Sequence, residues 1–300
     1  FENKARDAAF ALAFAWLLSM TRGQMMTTIL LWAFLLVLRL IVNKKYRSLF
    51  IPIAAFVLAF LLRDLTVHVY NYAVTGYFMG NTYGQVNTLT NVMYAADEED
   101  RAVFEEGSLE QAFFDQFYEE AEDRGLNYKF GGESFAQRAA YLEDNHDILK
   151  FQVLEAGLSA YYFSLGEVDY YEQSSMSDEM AGKMIQSLLP ACFGQWLYDY
   201  MLLCRNGFVR SIAVVHPLIN PAAFALYVLA AALALWNAIK LKRYDVSVVM
   251  GVALLFITAN VCATSITIMC LSRYMIYGFS LFYIALYLLV REMWQKKVRR

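Results

Sequence analysis

Six apolar runs, each near the length needed to cross a lipid bilayer, constrain this chain more than any motif: 5–21, 25–42, 48–70, 219–239, 246–268 and 274–291. A hydrocarbon core takes about 20 residues of helix, and lipid offers no water to unpaired backbone groups, so such runs have few solutions other than membrane-spanning helices. The first is the shortest, with a clean apolar stretch only from Ala8 to Met20, and Thr21–Gln24 (TRGQ) makes a tight turn into the second. Hydrophobic residues are 59% of the chain and mean hydropathy is +0.38, which excludes an ordinary soluble domain. The predicted fold class is all-α: a polytopic transmembrane helical protein of about six crossings, with an inserted helical extracytoplasmic domain.

Charge orients the runs. Lys4 and Arg6 precede the first; Lys44, Lys45 and Arg47 follow the second; Lys240, Lys242 and Arg243 follow the fourth; Arg291, Lys296, Lys297, Arg299 and Arg300 follow the sixth. Six crossings put all of these on one side, and short basic loops mark the cytoplasm. The other side receives the TRGQ turn, the turn at 269–273 and a long acidic segment. About 23 of the 28 acidic side chains and only about 8 of the 25 basic ones fall within 74–210. The expected organisation is three transmembrane helices over 1–73, an acidic extracytoplasmic domain over 74–210 and three more helices over 211–300, in the plasma membrane. The bilayer is the first partner, and nucleic acid is excluded because a phosphate backbone demands a basic face.

The acidic segment reads as folded. SLEQ (Ser108–Gln111) and SFAQ (Ser134–Gln137) both fit the capping box. Leu109, Phe113, Phe114, Phe117 and Tyr118 form an apolar stripe that Gly125 would stop. Phe135, Ala139, Leu142, His146, Leu149 and Val153 recur at spacings of four and three, one face of a second helix. A third is expected over 177–204, kinked near Pro190. The runs Asp97–Asp100 and Glu119–Asp123 read as solvated faces.

The four cysteines show no CxxC, and Cys192 and Cys204 lie too far apart on one continuous helix to bridge, so neither zinc nor a disulfide framework is indicated. No cofactor motif occurs, and a divalent cation stays open. The first residue is Phe1 and no signal peptide is visible, so a piece of a longer protein is expected.

Three constellations bear on function. His146–Asp147 could ligate metal with Glu143 and Asp144, but His146 falls on the apolar stripe, which favours a structural role. Arg63 and Asp64, near His68, stand about 22 Å up a helix starting at Ser48. There they are either intramembrane charges with a functional role or residues snorkelling at the surface. Tyr161, Tyr162, Tyr170 and Tyr171, within YYFSLGEVDYYEQ, and Trp196, within WLYDY, mix aromatic faces with carboxylates. Such sets contact glycans through stacking and hydroxyl hydrogen bonds, although Tyr and Trp also collect at membrane boundaries.

The stretch SRYMIYGFSLFYIALYLL (272–289) places Arg273 and Tyr274 at the outer mouth of the last apolar run. It resembles the Arg-Tyr-initiated segment near the end of many GT-C type membrane glycosyltransferases, those of the dolichyl-phosphate-mannose-protein mannosyltransferase type and related bacterial cell-envelope enzymes. The resemblance covers the topology and these residues; the outer loop with a catalytic Asp that typifies the group would lie upstream. It implies a polyprenyl-phosphate-sugar donor and a glycan acceptor, with transfer on the extracytoplasmic side. Arg273 would grip a lipid-linked phosphate and Tyr274 would line the same mouth. The alternative is a non-catalytic sensor or assembly subunit whose outer domain binds a protein or a glycan.

Overall fold

The computed structural model describes residues 5–80 and 84–298. Lys4, Arg299 and Arg300, counted above toward the basic side, lie outside the described residues, as do the side chains of Lys296 and Lys297. Every regular element among the described residues is helical. In chain order the α-helices are α1 Ala5–Thr21, α2 Met26–Val42, α3 Phe50–Thr75, α4 Gly84–Tyr94, α5 Leu109–Asp123, α6 Phe135–Ile148 and α7 Glu155–Ser164, followed by α8 Tyr170–Ala191, α9 Phe193–Arg210, α10 Asn220–Ile239, α11 Tyr244–Thr267, α12 Ser272–Met275 and α13 Tyr277–Val298. Among the described residues four stretches are long and apolar enough to cross a membrane: Gly23–Val42, Tyr46–Thr75, Asn220–Ile239 and Tyr244–Thr267. The first and sixth apolar runs are also helical but fall outside that set. Helix α1 has 17 residues, and α13 carries Arg291 and Glu292 before its end.

The chain divides into two compact units. One comprises Phe1–Thr66, Asn206–Thr264 and Cys270–Arg300; the other comprises Val67–Arg205 and Ser265–Met269. In the first unit, α1 and α2 form a hairpin. Trp32 Nε1 donates to Ala8 O (2.9 Å) and Thr28 Oγ1 to Ala15 O (3.2 Å). Ala15, Ile29 and Ala59 make the seam with α3, flanked by Leu12, Trp16 and Phe56. Small residues permit close approach elsewhere: a Cβ on Gly278 would stand 2.6 Å from Ile257 Cγ1, and one on Gly207 would meet Cys270 Sγ at 2.8 Å. At the basic end, Arg243 bridges to the buried Glu292 at 2.7 Å.

The second unit is built around α4, whose Val86, Leu89, Val92, Met93 and Tyr94 are all buried. Asp178 of α8 caps it, Oδ1 accepting from Gln85 N (2.8 Å) and Val86 N (3.1 Å). The expected stripe of α5 is buried at Phe113, Phe114, Phe117 and Tyr118. That helix ends in a Schellman turn: Leu126 N donates to Ala121 O and Gly125, at φ +67°, to Glu122 O. The capping box at Ser134–Gln137 is complete. At Ser108 only half of it forms, because the Gln111 amide oxygen accepts from Gly107 N instead. The α6 stripe is buried from Ala139 to Val153 but leaves Phe135 exposed, and it runs through a π-helical segment, Leu149–Leu154, into α7. The expected continuous helix over 177–204 is corrected. It begins at Tyr170, capped by Asp169, and breaks at Cys192 into α8 and α9. Pro190 sits just before the break, where its missing N–H weakens the ladder. Among the described residues none of the four cysteines forms a disulfide.

Gly157 of α7 faces Phe117, and an alanine Cβ there would lie 2.6 Å from Phe117 Cε1. Overpacking against a fully buried ring costs about 1–3 kcal/mol, more than the gain of up to about 1 kcal/mol in helix propensity. Gly157→Ala is therefore expected to lower the unfolding midpoint of the purified protein. Gly194→Ala, with open space around the new Cβ, is expected to leave it unchanged or raise it.

Candidate functional site

The first site forms where the TRGQ turn meets the start of the last helices. Here α12 ends and α13 begins, and Tyr274 O projects from the junction. It accepts from Gln24 Nε2 and from Asn260 Nδ2, each at 3.0 Å. Two amide side chains, one from the α1–α2 turn and one from α11, thus fix a single backbone oxygen.

Cations gather on this frame. Arg273 is exposed; its guanidinium lies over the Tyr274 ring (4.9 Å to the centroid) and donates to Tyr274 Oη at 3.0 Å. Arg22, the residue before Gly23, lies over the Tyr277 ring at 5.7 Å. Arg63 of α3 reaches the same turn, its Nη2 within 3.7 Å of a Cβ placed on Gly23. Its Nε is buried without a hydrogen-bond partner among the described residues. The structure therefore brings together Arg63, Arg273 and Tyr274, three of the residues singled out from the sequence, and adds Arg22 and Gln24, which the sequence reading took only as a turn. Asp64 is exposed. Aromatic faces hold two of the three guanidiniums in place while their donor edges stay available to an anion.

The aromatic–acidic set divides. Tyr162 is a core residue, 6% exposed, so it presents no face to a glycan. Tyr161 is half-buried, edge-on to Phe113 and Tyr162. Tyr170 and Tyr171 are exposed, and Tyr171 stacks on Tyr77, whose hydroxyl donates to Asp169. Trp196 is half-buried in a stack with Phe193 and Tyr200.

The carboxylate of WLYDY is not offered to a ligand at all. Asp199 is 3% exposed, in a crevice lined by Asn91, Leu142, Trp196, Tyr200, Leu203 and Ser265, with no room for a water molecule. Gln195 Nε2 donates to Oδ1 at 3.0 Å, while Asp199 Oδ2 and Asn91 Oδ1 have no hydrogen-bond partner among the described residues. Burial pushes the Asp199 carboxyl up to about 7, against the smaller pull of Gln195 and Arg138. His146 is fully buried with Nδ1 3.3 Å from Asp147 Oδ1. Among the described residues no group of three or more His, Cys, Asp or Glu side chains could hold a metal ion.

Asp199 makes stability depend on pH. Between the ordinary carboxyl value of 3.8 and about 7 the unfolded chain sheds a proton that the folded chain keeps. The stabilisation by the neutral form is complete below the lower value and drains away as pH rises through the upper one. Asp199→Asn is expected to be more stable than wild type at pH 8 by roughly 2–4 kcal/mol, with the gap closing toward pH 4. Denaturant unfolding across that range measures it.

No protein-family model, no curated protein and no solved structure matches this chain.

Proposed function

We propose that the chain crosses the plasma membrane six times with residues 74–210 outside, and forms part of a lipid-linked-sugar-dependent glycosyltransferase acting on cell-envelope glycans. The convergence of Arg22, Arg63 and Arg273 on one turn carries this reading. A polyprenyl-phosphate donor presents oxygens that match the planar fork of a guanidinium, and the lipid tail follows the apolar helices beside it. Arg273 and Arg63 take the phosphate in this reading, Tyr274 holds Arg273, and Asp64 lines the rim. Tyr170 and Tyr171, the exposed members of the aromatic set, offer the acceptor their faces, and half-buried Tyr161 and Trp196 are secondary candidates.

Two hydrogen bonds support the assignment of sides. Gln24 ties the TRGQ turn to Tyr274, and Asn91 Nδ2 of the acidic segment donates to Ile266 O at the end of α11 (3.3 Å). Helix α1 rises about 26 Å over its 17 residues, close to a hydrocarbon core.

A second reading is the non-catalytic sensor or assembly subunit. The end of α7, the link after it and the start of α8 favour it, because Phe163, Leu165, Tyr170 and Tyr171 are all exposed. Such clusters mark surfaces that bind partners.

Membranes containing the full-length protein, supplied with labelled polyprenyl-phosphate sugars, test the first reading. Arg273→Ala is expected to cut transfer at least about tenfold, a loss of about 1.4 kcal/mol of phosphate contact, and Arg273→Lys to recover part of it. Wild-type rates in Arg273→Ala would reject the phosphate contact. No transfer from any donor by wild type would reject the enzyme and leave the second reading.

A further inference from the structure

The opposite end of the first unit holds a groove that the outer arginines do not explain. It lies among α1, α2 and α3 with a volume of about 400 Å³. Its walls are apolar and in part small: Ala8 from α1, Leu36 from α2, and Pro52 and Ala55 from α3. Its mouth is different. Arg39, Asn43, Lys45 and Ser48 line it, supplied by the last turn of α2 and the link to α3.

Three further features make this mouth electropositive. The first backbone N–H groups of α3, a helix of 26 residues, open beside Ser48 and Ile51, so the positive end of its dipole faces the groove. The negative end of α2 is sealed: Lys45 N donates to Leu40 O (2.8 Å) and Lys44 N to Ile41 O (2.9 Å). Lys44 closes this turn at φ +55°, a left-handed conformation that glycine takes without strain, so the chain keeps a cation where a small neutral residue would fit better.

We infer that this groove binds one anionic phospholipid of the surrounding bilayer. An acyl chain lies along Ala8, Leu36 and Pro52, and the headgroup phosphate sits between Arg39 and Lys45, with Asn43 and Ser48 as neutral hydrogen-bond donors. Charge complementarity selects the occupant, because a zwitterionic headgroup brings a cation of its own to a mouth that already holds two. The inference is independent of sugar transfer and needs only that α2 and α3 lie in a bilayer.

Native mass spectrometry of the full chain, released from detergent after titration with phosphatidylglycerol or phosphatidylcholine, tests it. One phosphatidylglycerol per chain is expected to be retained at least tenfold better than phosphatidylcholine. Arg39→Gln with Lys45→Gln is expected to abolish that preference, and Ala55→Leu, which fills the groove, to lower retention of the lipid. Lys240→Gln with Lys242→Gln, in a basic loop away from the groove, is expected to change nothing. Equal retention of the two lipids would overturn the inference. So would a loss in the Lys240/Lys242 variant as large as in the Arg39/Lys45 variant, which would mean diffuse attraction. Glycerol phosphate displacing the lipid at equal concentration would also overturn it, since the acyl chain would then contribute nothing. Lys45→Gln alone, at an exposed position, keeps the test decisive should the Arg39 variant fail to fold, with an intermediate loss expected and an unchanged preference counting against the site.

Discussion

A helix in lipid has no water to turn to, so every polar atom that leaves the backbone ladder needs a partner within the bundle. This constraint shifts the distribution of side chains in the first unit, where many large apolar residues lie outside although Ile29, Ile257, Phe282 and Leu289 are buried. Along α3, Phe50, Ile53, Val57 and Leu61 face outward, while Ala59 is buried with Ala15. Ala230, Ala253, Ala285, Ser19, Asn237 and Asn260 are also inside. Lipid tails are as apolar as leucine, so a large side chain gains little hydrophobic free energy from an interior position, and small ones allow the backbones to touch. The second unit follows the opposite rule. Phe114, Phe117, Leu89 and Leu149 are inside it, and most of its charged residues face outward, with Asp199 and Lys150 as buried exceptions.

The junction of α12 and α13 is where this constraint meets the candidate site. A break in the helix at Ile276 exposes the Tyr274 carbonyl, and two amides from distant parts of the sequence supply its partners. The satisfied carbonyl is also a clamp. It ties the α1–α2 turn to the segment bearing Arg273, and it sets Arg22 and Arg273 against neighbouring tyrosine rings. Guanidiniums fixed on aromatic faces lose less freedom on meeting a phosphate than free side chains do, so the packing demand and the binding geometry have one origin.

How much of this was legible depends on how local the cause was. Apolar runs announce themselves by composition, so the six long helices start within about three residues of the expected positions, while α3 and α13 run on to Thr75 and Val298, beyond the expected ends at 70 and 291. The α5 and α6 stripes were legible for the same reason: Phe113, Phe117, Ala139 and Leu142 repeat at helical spacing. Helix α4 was not. Its sequence, GQVNTLTNVMY, is rich in Asn and Thr, and its cap comes from Asp178 more than ninety positions away. The break at Cys192 was read as a kink because Pro190 marks a weak point without fixing its outcome. Arg22 was invisible as a site residue because its setting depends on Tyr277, far along the chain. WLYDY showed an acid among aromatics, but the burial of Asp199 comes from α4 and Ser265, which no local pattern reveals.

The two lysines at positive φ bear on how such a chain divides stability from function. Lys44 and Lys242 both follow helices at the basic end, each at φ 55°. A left-handed residue with a Cβ costs about 1–2 kcal/mol, and a cation beside a helix C-terminus recovers about 0.3–1 kcal/mol of that. The balance is therefore slightly unfavourable, and glycine would be the better choice for folding alone. What glycine lacks is charge. Next to Lys242, Arg243 closes its own turn by donating to Asn237 O at 3.0 Å and still reaches Glu292. Both lysines are exposed, so the charge that the strain retains stands on the surface and adds nothing to the packing of the fold.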